Sequence, residues 1–379
     1  MFNEITSFIK KLYNNKDIIP LHAPVFWGKE KEYLSRCIDT AFVSYVGEYV
    51  KQFEDITANF TGAKYAVAVV NGTAALQVAL TVADVKTGDE VITQPFTFVA
   101  TANAISHCGA KPVFIDIDLD TLGMSAEKLE YWLNNNTYIK DDKTYNKITK
   151  SKISAIVPVH TFGFPSKIDK IIEISDKYHI PVIEDSAEAI GSFFKGKHCG
   201  TFGLAGIISY NGNKTITTGG GGMIITDDEN FAEKTKHITT TAKISHKYEY
   251  MHDEIGYNYR MPNINAAIGV AQMENLYRIL NNKRETAMQY KDFFKQIGIK
   301  FMEEPLNSKA NYWLNAILFD NKEARGGFLE YTNNNGVQTR PAWKLLNELE
   351  MYKDCQTDDL INSKRLYEGI VNIPSGVRV

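Results

Sequence analysis

YAVAVVNGTAALQVALTVA, residues 65–83, reads as a buried strand, a short turn and an apolar helix. Tyr65–Val70 is a continuous run of apolar residues rich in valine, the pattern of a strand covered on both faces. Asn71, Gly72 and Thr73 interrupt it, and AALQVALTVA then carries helical character. The first N–H groups of a helix have no partner within it, and its dipole favours an anion there. Strand, NGT and helix together therefore form a natural phosphate cradle, with Gly72 and Thr73 at its centre. A plain helix cap, with Thr73 serving its own helix, fits the same residues.

Outward from this unit, EVITQ (90–94), KPVFIDI (111–117), ISAIVPVH (153–160) and IPVIED (180–185) read as further strands, with the helical pattern KIDKIIEISDKY between the last two. Apolar strands alternating with helices predict a largely parallel sheet covered on both faces, an α/β/α layer. From Gly256 the texture changes to a long helical stretch, Asn265 to beyond Arg284, and then to mixed short elements. The expected division is a large α/β domain over 1–255 and a smaller α+β domain over 256–379, with the residues before Pro20 packing on the smaller one. The Asn-rich run at 134–147 reads as an inserted hairpin, and NNNG at 333–336 as a surface loop.

The 379 residues are 44% hydrophobic and 23% charged, with a formal net charge of −3, so no broad basic surface is available to hold a nucleic-acid backbone. Cys37, Cys108, Cys199 and Cys355 lie far apart and form no metal-ligand spacing, so neither a disulfide framework nor a metal site is expected. That usage fits a reducing cytoplasm. No stretch approaches the roughly 18 apolar residues of a spanning helix, and no membrane association is expected.

Four segments carry candidate chemistry. In SYNGNKTITTGGGGMIITD (209–227), Lys214 precedes four glycines, which let backbone approach a flat or phosphorylated ligand. An exposed lysine beside a glycine-rich hairpin is the plainer reading of that run. The strand IPVIED ends in Asp185, and ligands of parallel sheets sit beyond the carboxyl ends of strands, so Asp185 and His160 are expected to converge on one crevice. A carboxylate there calls for a cation. Phe96 and Phe98 follow the strand EVITQ, and either ring is placed to stack on a flat heteroaromatic group. Asn258 and Arg260, in EIGYNYRMPNINAAI (254–268), offer an amide and a guanidinium to an anion. A phosphate, an aromatic ring with a basic nitrogen and an electrophilic carbon reached by lysine together describe pyridoxal phosphate.

The order NGTAALQVAL, PFTFVATANAI, VPVHTFGFP, EDSAEAIGS, SYNGNKTITTGGGGM, GYNYRMPNINAA and TRPAW resembles the DegT/DnrJ/EryC1/StrS family of nucleotide-sugar aminotransferases, from about Pro20 onward. The resemblance implies the fold-type I, aspartate aminotransferase-like architecture of pyridoxal-phosphate enzymes. It implies Lys214 as the Schiff-base lysine and Asp185 as partner of the pyridine nitrogen. It also puts Glu188 near the ring hydroxyl, Phe98 over the ring, and Gly72, Thr73 and Ser209 at the phosphate. Asn258 would reach the phosphate in the neighbouring subunit, so a homodimer with shared sites follows. Two departures stand out: Glu188 occupies a place where many members have glutamine, and Asn347 the place of a histidine in the usual TRPxWxPLH tail.

Within the family, IIPLHAPVFWGKEKEY, FVSYVGEYVKQFE and SYNGNK are similar to the branch making 4-amino-4,6-dideoxy-N-acetylhexoses for legionaminic acid or bacillosamine-type glycans. That similarity implies a UDP-linked 4-keto-6-deoxy sugar as acceptor and L-glutamate as donor, with 2-oxoglutarate released and pyridoxamine phosphate as the intermediate cofactor form. Arg260 and Arg340, ahead of Lys243 and His246, are candidates for the sugar diphosphate, and His160 for the crevice. Amination at C3, or of a GDP- or dTDP-linked sugar, keeps the same residues. A 3-dehydrase would carry histidine in place of Lys214, and a non-catalytic regulator would lack the lysine or the acid.

Overall fold

The computed structural model describes residues 1–379. Four strands in the order 65–69, 222–226, 205–209 and 183–185 continue, through the parallel bridges Ile156–Val182 and Val159–Asp185, into three more in the order 153–157, 90–93 and 111–114. Only 222–226 runs antiparallel to its neighbours. The central strands are buried along their whole length, as expected where helices cover both faces.

The helix Gly72–Val82 starts where its sequence predicts, but the cap is Asn71: its Oδ1 accepts the Ala74 N–H at 2.8 Å. Thr73 is thereby left out of the capping. Ala74–Leu80 are all buried, so this helix is held by packing on the sheet.

The helical stretch expected from Asn265 is two helices, Asn263–Glu274 and Leu276–Gln296, broken at Asn275. The first lies against Glu48–Thr61: Ala266, Ala267 and Val270 share a core with Tyr49, Val50 and Phe53. A Cβ on Gly269 would come within 2.7 Å of the Phe53 ring, so the two helices approach at a glycine. Residues 263–274 thus pack with the large sheet's layer. A second, antiparallel sheet, in the order 300–301, 315–318, 370–373 and 340–341, begins beyond them. The amino-terminal helix Phe2–Leu12 buries Ile5 and Ile9 in one cluster with Tyr290, Phe294 and Phe328.

The hairpin expected in the Asn-rich run forms over 137–140 and 143–146. NNNG instead closes the helix Lys322–Asn334, and Gly336 follows with φ +80°, the left-handed turn that lets the chain leave. No helix is long and apolar enough to cross a membrane.

Candidate active site

A cavity of about 300 Å³ opens at the carboxyl ends of the sheet strands. Gly72 and Thr73 form one end, at the start of their helix, with Ser209 beside them. A Cβ on Gly72 would lie 3.0 Å from the Ser209 Cβ, so glycine lets the two segments approach without displacing that side chain. The amides of a helix start and a hydroxyl therefore face one small volume, the donor set that receives a phosphate.

Asp185 lines the same cavity and is 7% exposed. Its Oδ2 accepts the Thr101 hydroxyl at 2.8 Å and its Oδ1 the Ala187 N–H at 3.2 Å. Those bonds fix the carboxylate without neutralising it, leaving it able to face a cationic ring nitrogen.

Lys214 lines the cavity as well. Its Nζ lies 3.2 Å from Glu188 Oε1 and 3.9 Å from the centroid of the Trp313 ring. Glu188 is itself anchored, since its Oε2 accepts the Phe162 N–H at 2.8 Å. Burial pushes the Glu188 carboxyl above the ordinary glutamate range, while Lys214 and the Phe162 N–H pull it back. Phe162 holds that N–H in place from a left-handed backbone, φ +58°, a costly conformation for a non-glycine residue.

Of the two phenylalanines after strand 90–93, Phe96 is 1% exposed in the core and Phe98 is 50% exposed on the cavity wall. Phe98 is thus the ring available for stacking. Its centroid lies 6.1 Å from that of Trp343, which in turn packs on Phe162 at 5.1 Å.

Three substrate candidates are not brought to the cavity. His160 and Asp185 do not converge, because successive strand residues point to opposite faces. His160 instead pairs with Glu184, Nε2 to Oε2 at 3.0 Å, with both side chains fully buried. The Ser166 N–H donates to His160 Nδ1, so Nε2 carries the N–H that donates to Glu184. Glu184 also collects the N–H groups of Gly200, Phe202 and Gly203, which makes the pair a structural lock for that loop.

Arg260 is 6% exposed and tied to Glu54 Oε1 at 2.7 Å, the oxygen that also accepts the Ala68 N–H. Arg340 is exposed and bound to Asn333 and the Thr339 carbonyl. Asn258 is exposed and bridges to Thr240, outside its own chain's cavity, while Lys243 and His246 belong to an exposed hairpin. Conversely, Thr101, Trp313 and Trp343 line the cavity without having been singled out. Thr101 and Trp343 lie inside quoted motifs, so their segments were visible; Trp313 lies in NYWLNAI, which carries no phosphate, acid or lysine signal.

Residues 27–379 match the DegT/DnrJ/EryC1/StrS aminotransferase family. The chain belongs to that family. It is 37% identical over 357 residues to the GDP-perosamine synthase of Escherichia coli O157:H7, covering 94% of this chain and 93% of that one. It is 38% identical over 344 residues to the putative pyridoxal phosphate-dependent aminotransferase EpsN of Bacillus subtilis, with 90% and 84% covered. Among solved structures, a DegT/DnrJ/EryC1/StrS aminotransferase from Brucella abortus superposes with a TM-score of 0.83 at 26% identity, covering 92% and 90% of the two chains. The fold is that of the pyridoxal-phosphate-dependent sugar aminotransferases, and the protein is such an enzyme, with pyridoxal phosphate as its cofactor.

The cavity fits that cofactor on its own evidence. The helix start with Ser209 suits a phosphate, the Asp185 carboxylate a protonated ring nitrogen, and the Lys214 amine an aldehyde. Phe98 offers a ring face beside them.

Proposed function

We propose that this enzyme aminates C4 of a nucleotide-linked 4-keto-6-deoxy sugar, taking nitrogen from L-glutamate and releasing 2-oxoglutarate. The observation that carries this reading is a single amine, Lys214, held in one cavity with a buried carboxylate opposite a phosphate cradle.

Gly72, Thr73 and Ser209 bind the phosphate, and Asp185, steadied by Thr101, holds positive charge at the pyridine nitrogen. Pyridoxal phosphate, when bound, supplies the reactive aldehyde and the electron-withdrawing ring. Lys214 Nζ removes the proton from Cα of the amino donor, and Glu188 lies within reach to take up or return a proton at that nitrogen. Phe98, Trp313 and Trp343 form an apolar wall that excludes water and suits the flat face of a deoxy sugar.

The similarity of the amino-terminal segments to the N-acetylhexose branch supports a UDP-linked acceptor, UDP-2-acetamido-2,6-dideoxy-4-hexulose, in bacterial surface-glycan synthesis. The name of the E. coli relative favours a second reading, a GDP-linked sugar. The working form is a homodimer with shared sites. Phe42, Val43, Tyr45 and Val46 support this by exposing a run of apolar surface that a lone chain leaves in water. In that dimer Asn258 serves the partner's phosphate cradle. The four unpaired cysteines fit a cytoplasmic setting.

The test is to incubate the protein with pyridoxal phosphate, glutamate and a panel of UDP-, GDP- and dTDP-linked keto sugars, following 2-oxoglutarate and product by mass spectrometry. Turnover with one acceptor fixes the base. No 2-oxoglutarate with any member of the panel sinks the reading.

A further inference from the structure

The Trp313 ring is the least expected part of the site, and its surroundings give it a task. The residue is 3% exposed, and its main chain and side chain are both tethered. Its N–H donates to Asn311 Oδ1 at 2.8 Å, and its indole N–H to the Asn213 carbonyl at 2.7 Å. Its carbonyl accepts from Lys283 Nζ at 3.2 Å. Tyr312, immediately before it, sits in the left-handed region at φ +49°. Backbone in that region persists only where surrounding contacts enforce it. Asn213 directly precedes Lys214, so the bond that aims the indole is made to the same stretch of chain that carries the lysine.

Asn311 connects this ring to the other partner of the amine. Its Oδ1 takes the Trp313 N–H, while its Nδ2 donates to the Glu188 carbonyl at 2.8 Å and to that of Ile190 at 2.9 Å. One buried amide thus ties the main chain of Trp313 to that of Glu188, the two residues whose side chains meet Lys214 Nζ. A tryptophan face is the strongest aromatic partner for an ammonium, and stronger still where water is excluded.

We propose that Trp313 is a positioning residue whose ring, together with Glu188, holds the ε-ammonium of Lys214 whenever that amine is not joined to the cofactor. The inference rests on the aminotransferase reading for its purpose, since such an enzyme must release its lysine and recover it in every cycle. It does not depend on that reading for its measurement. The platform stabilises the charged amine, so it sets how much of the free lysine is uncharged and ready to react at a given pH.

The experiment uses the cofactor-free full-length protein and an amine-acylating reagent, which attacks only uncharged amines, with Lys214 labelling read by peptide mass spectrometry across the neutral-to-alkaline range. Trp313→Leu should move the midpoint of Lys214 labelling down by about half to one pH unit. Trp313→Phe, which keeps a ring but loses the indole N–H, should move it less. Identical midpoints in wild type and Trp313→Leu, or equal shifts in the Leu and Phe variants, overturn the proposal.

Should Trp313→Leu fail to fold, wild-type protein grown with increasingly fluorinated tryptophan, which weakens the π face without changing its shape, gives the same reading. The midpoint should fall step by step, with Trp313→Phe grown alike as the insensitive control; no fall refutes the platform. Borohydride reduction of the holoenzyme separates the two claims. If it leaves no cofactor on Lys214, the aminotransferase reading fails, while the labelling midpoints still decide the role of the ring.

Discussion

Asp185 and Ser209 stand at the ends of neighbouring strands of the large sheet, whereas Trp313 and Trp343 come from segments flanking the strands of the small one. The first pair takes its position from a ladder of backbone hydrogen bonds. Of the second pair, Trp313 takes its position from tethers to Asn311 and Asn213 and a left-handed turn at Tyr312, and Trp343 from packing on Phe98 and Phe162. A sheet edge fixes direction by periodicity alone, and a loop must be aimed by specific partners. The floor of the cavity therefore carries the phosphate cradle and the carboxylate, and the wall carries its aromatic lining.

The largest effect expected from breaking the floor is at Lys214. Lys214→Ala removes the only amine in the cavity lining, so turnover should be lost altogether, and borohydride should leave no cofactor on the polypeptide. Undiminished transamination would mean that another group does this work. Asp185→Asn keeps the shape and the Thr101 contact but removes the charge. Turnover should fall on the order of 10²- to 10³-fold, the usual cost of losing one preorganised charge-stabilising group. The urea midpoint should stay close to wild type, and a variant that loses stability instead of rate would place Asp185 among the structural acids with Glu184.

This contrast also decides what could be read in advance. The strands at 65–70, 90–94, 153–160 and 180–185 announce themselves by apolar runs, and the NGT turn by what a helix start needs, so the floor was legible almost residue by residue. The error at His160 came from treating two strand ends as convergent without counting their alternation; Glu184, one residue before Asp185, claims the imidazole. Arg260 was misread for another reason. A guanidinium beside an amide and ahead of a helix looks available in sequence, and nothing local reveals that Glu54, in a helix formed long before it in the chain, neutralises it. The helix break at Asn275 and the domain to which 263–274 is packed depend likewise on distant partners. The wall was the least legible, because Trp313 meets Lys214 only through tertiary contacts.

Sharpening the comparison from the side of the wall calls for smaller effects. Trp343 packs on Phe98 and Phe162 and lines the cavity on the wall proposed for the sugar. Trp343→Leu should raise KM for the nucleotide sugar between about twofold and tenfold, the range of an aromatic contact. KM for glutamate and the absorbance of the bound cofactor should change little. Equal increases for both substrates would show that the ring orders the whole site and not its sugar end.

The smallest expected effect concerns how the wall is held. Lys283 is 1% exposed and meets only neutral acceptors: His22 Nε2 at 3.0 Å and the carbonyls of Trp313 and Ser375. Burial without a carboxylate lowers its amine from the ordinary lysine range to about 7. An unfolded lysine keeps its proton to about pH 10.4. Between those limits the unfolded chain binds a proton that the folded chain does not, so the Lys283 contribution to stability rises with pH across the window and is flat below it. The rise approaches about 1.4 kcal/mol per pH unit once the folded amine is fully discharged. His22, held low by its own burial and by Lys283, is neutral in the folded chain, and its unfolded imidazole is mostly discharged above about pH 7, so it adds little to the slope. Lys283→Met removes the term, so the unfolding free energy of wild type minus that of the variant should climb from pH 7 towards pH 9 in urea titrations. A constant difference would mean that the amine stays charged in the folded protein, and that a permanent ion holds the Trp313 carbonyl.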